Sequence, residues 1–202
     1  MLELDDGKKA VVFARQVIEE FVRNNRLFDT DLSDVFKERQ GVFVTIHTYP
    51  DHNLRGCIGI PLPIMPLKQA IADGAKSATH DPRFPPLSVD ELTNIIIEVT
   101  ILTKPEIIEV SEPNRYLEEI EIGRDGLIVE KGIFKGLLLP QVPIEQSWDK
   151  EEFISQTCMK AGLMPDAWFE KDTKISKFSG QIFSEIMPRG EIEEKKLDGS
   201  DN

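Results

Sequence analysis

Leu54-Arg55-Gly56-Cys57-Ile58-Gly59 follows a turn-forming stretch, Tyr49-Pro50-Asp51-His52-Asn53, which itself follows the strand-like run Val42 to His47. Two β-type runs about a turn of this composition read as a hairpin. Side chains alternate across a strand, so Leu54, Ile58 and Ile60 share one face and Arg55, Cys57 and Gly59 the other. The apolar set belongs against a core, which puts Cys57 on the arginine's side. A thiol beside a fixed positive charge ionises more easily, and Gly59 leaves clearance for a ligand or a second backbone. The stretch therefore specifies an antiparallel pair and a candidate reactive cysteine.

Outward from the hairpin, residues 6–24 form an amphipathic helix, with Ala10, Phe13, Ala14, Val17, Ile18 and Phe21 at helical spacing and Arg15, Gln16, Glu19 and Glu20 mostly elsewhere. Pro61, Pro63 and Pro66 end the second strand and lead into a helix over about 66–79. His80 to Pro86 is a stiff loop, and Ser88-Val89-Asp90-Glu91 has the form of a capping box. Ile95 to Thr103 is the strongest strand signal, with Ile95, Ile97, Val99 and Ile101 on one face. Leu127 to Glu130 and Phe134 to Leu139 form a second hairpin about Lys131-Gly132. Asp149 to Glu152 caps a helix that Gly162 ends. Lys174 to Glu185 reads as one final strand. The pattern is α+β, a mainly antiparallel sheet with flanking helices. Residues 1–187 form the domain, and the charged residues 188–202 read as a disordered tail.

Composition narrows the function classes. The 202 residues carry a net charge of -12, which opposes broad contact with nucleic acid or anionic membranes. No apolar run approaches the roughly 20 residues that span a bilayer. The acidic start lacks the layout of a signal peptide. Cys57 and Cys158 fit neither a zinc pattern nor a CxxC motif, so the expectation is free thiols in a reducing, cytoplasmic compartment. No phosphate-cradling loop or dinucleotide fingerprint occurs, and neither a cofactor nor a metal is expected.

Several segments in this order carry a resemblance: Leu54 to Gly59, then Asp81-Pro82-Arg83-Phe84-Pro85-Pro86-Leu87, Gly126 to Glu130, Gly136 to Gln141, Trp148, and Cys158 to Gly162. Over about residues 8–187 the chain resembles the AMMECR domain family. The resemblance implies a compact two-lobed α+β domain with the signature strand near the cleft between lobes. It also implies a pathway link to radical-SAM and Memo-type proteins, because some relatives are fused to or encoded with them. It names no activity.

The residues themselves supply two readings. In the first, the chain is an enzyme: Cys57 is the nucleophile, His80 the base, and Arg55 and Arg83 grip an anionic substrate group by their guanidinium forks. Gly59 gives access. Glu98, within the most apolar strand, is a candidate acid or base, and Gln141, Glu145 and Trp148 form a pocket wall on a proline-stiffened loop. The bland counterparts are a core cysteine, a histidine capping a helix, and arginines bridged to Glu98, Glu130 or Glu145. Cys158, at core spacing, reads as structural. In the second, the chain is a non-catalytic binding module that presents the signature strand and the 81–87 and 140–148 loops to a protein. The enzyme is the leading expectation, because an arginine–cysteine face with glycine clearance suits a cleft.

Overall fold

The structure is a computed structural model and describes residues 2–195. In chain order the elements are α1 (Leu4–Asn24), β1 (Gly41–Thr48), β2 (Leu54–Ile60), α2 (Leu67–Ala78), β3 (Ile95–Leu102) and β4 (Glu106–Ile107). Then come α3 (Tyr116–Glu119), β5 (Gly126–Lys131), β6 (Phe134–Leu138), α4 (Val142–Glu145) and α5 (Lys150–Lys160). The last are β7 (Lys174–Phe178), β8 (Gly180–Glu185) and β9 (Ile192–Lys195). The fold is α+β, with two sheets. The chain divides into two compact units: one takes the chain up to Leu102 and resumes at Gln181, and the other is Thr103–Gly180.

The first unit is built on the sheet β2-β1-β3-β8-β9. Val42, Val44 and Ile46 of β1 stand opposite Ile101, Val99 and Ile97 of β3, which makes one continuous apolar face. Ala10, Phe13, Ala14, Val17 and Ile18 of α1 and Leu67, Ala70, Ile71 and Ala75 of α2 cover it. The alternation that supplies this core sends Thr45, His47, Cys57, Glu98 and Thr100 to the other face. The second unit carries the sheet β4-β7-β5-β6. Its Leu127, Val129 and Ile175 pack with Phe153, Ile154 and Cys158 of α5. Asp149 and Glu152 close a reciprocal capping box on α5, and Gly162, at φ +81, ends the helix. The amide of Leu163 then reaches back to the Cys158 carbonyl.

Three expectations are corrected. The run Lys174 to Glu185 is two strands in different sheets. Thr103 and Ser179 exchange hydrogen bonds at the break: Thr103 N–H donates to Ser179 O at 2.8 Å, and Ser179 N–H donates to the Thr103 hydroxyl at 2.9 Å. Neither half alternates cleanly in burial, so periodicity does not mark the crossover. Residues 192–195, read as part of a charged tail, form β9. Its Ile192 joins the first core, Glu194 accepts from Gln181, and Lys195 pairs with Glu98. The rest of that tail, 196–202, lies outside the described residues.

The third concerns Arg15, placed on the polar side of α1 by spacing. It is 6% exposed. Its Nε and Nη2 fork onto the Glu185 carboxylate, both at 2.5 Å, and Nη2 also donates to the Ile95 carbonyl at 2.8 Å. Glu185 accepts in addition from the Ile97 amide at 2.9 Å. The pair fixes α1 to both β3 and β8. Breaking one side of a buried pair strands the other charge, so Glu185→Leu should lower the unfolding free energy by about 3–5 kcal/mol in urea titration; a loss under about 1 kcal/mol would contradict this placement.

Candidate functional site

β2 lies at the edge of its sheet, so every second residue turns its peptide N–H and C=O away from β1. Cys57 is one of these. An open edge of this kind invites pairing with another chain, and here the loop after α2 occupies it. Asp81 Oδ2 accepts the Cys57 amide at 2.9 Å, and Arg83 Nη2 donates to the Cys57 carbonyl at 3.3 Å. The two side chains are themselves locked together. Arg83 Nε reaches Asp81 Oδ1 at 3.0 Å, Nη2 reaches Oδ2 at 2.7 Å, and the Arg83 amide also donates to Oδ1 at 3.0 Å. The Asp81 side chain is 1% exposed. The Arg83 bonds, together with the Cys57 and Arg83 amides, outweigh burial and hold its carboxyl well below the usual carboxylate range.

Gly56 makes the approach of that loop feasible. A Cβ there would stand 2.3 Å from the Ala78 carbonyl oxygen at the end of α2. Only a residue without a side chain lets the helix end close enough for Asp81 to reach the next peptide. At Gly59 the structure corrects the expected clearance. The Phe43 ring, opposite in register, fills the space within 2.3 Å of where a Cβ would lie.

Arg55 has its own carboxylate. Its Nε meets Glu91 Oε1 at 2.6 Å and its Nη2 meets Oε2 at 3.1 Å, a bidentate fork. Glu91 accepts from the Ser88 amide and hydroxyl as well. The Arg55 fork leads the interactions that bring its carboxyl down to about 2. The residue expected to complete a capping box thus also anchors an arginine. Both guanidinium groups lie near Phe84, with Arg55 Cζ 5.9 Å and Arg83 Cζ 5.7 Å from its ring centroid.

The Cys57 environment departs from that of an activated nucleophile. Its Sγ accepts from the Thr45 hydroxyl at 3.2 Å, the close side-chain approach expected where two residues face each other without a ladder bond between them. Burial pushes the thiol up. The Thr45 bond and Arg83 oppose the rise without offsetting it, and Glu98 and Asp81 add to it. Arg55 falls at the register shift of the β1–β2 ladder, and Glu91 engages its charge. His80 is not brought to the thiol. It lines a cleft with Phe21 and Ile58, on the face of β2 that carries the helices, whereas Cys57 points to the opposite face. The strand's own alternation separates the expected base from the expected nucleophile.

The other candidates resolve individually. Glu98, opposite Thr45, pairs with Lys195 at 2.8 Å rather than with an arginine. Glu130 pairs with Lys135, and Glu145 is exposed. Gln141, Glu145 and Trp148 belong to the second unit, where Trp148 packs against the α5 core. Cys158 is buried there, and burial pushes its thiol up to about 11. Sequence reasoning missed the roles of Asp81, Glu91 and Phe84. The Asp-x-Arg spacing of the 81–87 loop is the one local signal that two residues there can pair. Among the described residues no group of three or more His, Cys, Asp or Glu side chains is placed to hold a metal ion, and no helix is long and apolar enough to cross a membrane.

Two measurements follow. In a Cys158→Ser background, the pH profile of Cys57 alkylation should give an apparent pKa above the free-thiol value of about 8.5; a midpoint below it would contradict the site described. Carboxyls with depressed folded pKa values stabilise the fold above their unfolded values, about 3.9 for Asp and 4.3 for Glu. That contribution is lost as pH falls through the folded values. Acid should therefore destabilise the wild type progressively below about pH 4, and Asp81→Asn should show a shallower loss over the same range. Parallel curves for the two proteins would contradict the assignment.

Comparison with known proteins places this geometry in a family. Protein MJ0810 of Methanocaldococcus jannaschii is 54% identical over 98% of either chain. Protein PYRAB00100 of Pyrococcus abyssi is 50% identical, over 95% of this chain and 96% of its own. The crystal structure of Uncharacterized Protein PH0010 from Pyrococcus horikoshii superposes with a TM-score of 0.86 at 47% identity, covering 96% of this chain and 98% of that one. None of these names states an activity. The AMMECR1 family model matches residues 11–183, and the chain belongs to the AMMECR1 family.

Proposed function

We propose that this protein is a docking module that recognises a protein partner through the Pro82–Pro86 loop, and that Cys57 serves the rigidity of that surface rather than a chemical step. The observation that carries this reading is the anchoring of the loop. A buried carboxylate fixes it to the edge of β2 at one end, and the Arg55–Glu91 fork holds it at the other, yet Pro82, Arg83, Pro85 and Pro86 remain exposed. Loops held this firmly lose little freedom on binding, which raises affinity for a given contact area.

The chemistry of the surface defines the partner. Each guanidinium commits Nε and Nη2 to its own carboxylate and leaves Nη1 outside those bonds, with both groups near the Phe84 ring. Such a surface suits a peptide segment that brings a carboxylate or carbonyl oxygen to Nη1 and apolar side chains to Phe84 and the prolines. Arginine and aromatic side chains dominate protein interfaces for this reason. The cysteine-enzyme reading lacks a base at the thiol and a free cation beside it.

A photo-crosslinking residue at position 86, in cells that make the protein natively, tests this reading. A discrete adduct should form, persist with Cys57→Ser, and fall at least tenfold with Phe84→Ala, which removes an anchor worth about 2 kcal/mol. Loss of the adduct with Cys57→Ser but not with Phe84→Ala, or no adduct at all, would overturn it.

A further inference from the structure

A cleft of about 430 Å³ opens at the C-terminal end of α2, lined by Phe21 of α1, Lys76, Ser77, His80, Pro82 and Ile58 of β2. The hydrogen bonds at its rim determine what it presents. The Thr79 hydroxyl lies 2.7 Å from the Lys76 carbonyl oxygen and 2.7 Å from His80 Nδ1. A carbonyl oxygen only accepts, so the single hydroxyl proton goes to it. Thr79 Oγ1 can then only accept from His80, which puts a proton on Nδ1. The neutral imidazole is therefore held as the Nδ1–H tautomer, with a lone pair at Nε2. Packing fixes the ring further: it sits edge-on to Phe21, with centroids 5.5 Å apart.

Lys76 adds a charge. Its Nζ lies 5.3 Å from the same Phe21 centroid, and none of the ion pairs formed among the described residues uses it. One aromatic ring thus positions both a cation and an oriented imidazole at a cleft whose remaining walls are Ile58 and Pro82, with the Ser77 hydroxyl beside them. Polar groups of this kind on an apolar wall are what a small-molecule site requires.

We propose that this cleft binds a small hydroxylated organic acid: its carboxylate on the Lys76 ammonium, its hydroxyl donating to His80 Nε2, and its apolar body against Ile58 and Pro82. The site shares Pro82 with the docking loop argued above but uses neither Phe84 nor the two arginines.

The test is an NMR titration of the intact protein with 4-hydroxybenzoate, followed at His80 Hε1 and the Ile58 methyl groups. Saturable shifts are expected with a Kd below about 1 mM, the level accessible to a ligand of ~10 heavy atoms. Benzoate, which lacks the donor, should bind several-fold more weakly. Lys76→Met should weaken 4-hydroxybenzoate by about tenfold or more, the worth of one charged hydrogen bond. His80→Phe, followed at Ile58, should abolish the preference for 4-hydroxybenzoate over benzoate. Absence of saturation up to about 10 mM, unchanged binding in Lys76→Met, or equal binding of the two acids to the wild type would overturn the proposal.

Discussion

The buried carboxylate of Asp81 is the constraint on which the signature region depends. An edge strand must do something with the peptide groups that face away from its sheet, and β2 ends its ladder with a side chain in place of another strand. One carboxylate accepts the Cys57 amide, the Arg83 amide and the Arg83 guanidinium. The same guanidinium returns to the Cys57 carbonyl. The strand edge is closed to pairing, the loop is fixed in register with the strand, and a buried charge is fully hydrogen-bonded, as burial of a charge demands. The glycine at position 56 follows from this, because the α2 end must pass over it for Asp81 to arrive.

That arrangement gives the arginines that look catalytic beside the cysteine carboxylate partners of their own. Arginine beside cysteine suggests an easily ionised thiol, but a cation that already forks onto a carboxylate contributes little net field to its neighbour. Arg55 and Glu91 form one such unit, and Arg83 and Asp81 another. Around Sγ, burial raises the thiol most, the Thr45 hydroxyl and Arg83 oppose it, and the carboxylates of Glu98 and Asp81 add to it. Nη1 of each guanidinium stays outside the carboxylate bonds, near the Phe84 ring, and the proposed docking surface rests on that feature.

Much of the fold was legible because it is written in short-range alternation. The β1–β2 hairpin, the apolar face of β3 and the capped, glycine-terminated α5 each follow from patterns within a dozen residues. The unread parts depend on long-range pairing. Arg15 finds Glu185 across the chain, Lys195 finds Glu98, and the break at Ser179 is set by Thr103; no local periodicity reports any of these. Strand alternation, which sets Cys57 and Ile58 on opposite faces of β2, also held the reason that His80 lies away from the thiol. Once Ile58 is assigned to the helix-covered face, a histidine leaving α2 beside it lies across the strand from the thiol. Which carboxylate takes which arginine is a question of local geometry: Asp81 sits on the loop that the strand edge captures, and Glu91 on the short helical turn that follows it.

The most direct measurement is the hydrogen-exchange rate of the Cys57 amide. It lies on the open side of an edge strand, so without a side-chain partner it should exchange almost freely. The account predicts marked protection in the wild-type protein and loss of that protection by about 10- to 100-fold in Asp81→Ala, the range set by about 1.5–3 kcal/mol for one hydrogen bond to a charged acceptor, while the amides of β1 and β3 change far less. An unprotected Cys57 amide in the wild type, or one whose protection is indifferent to Asp81, would contradict it.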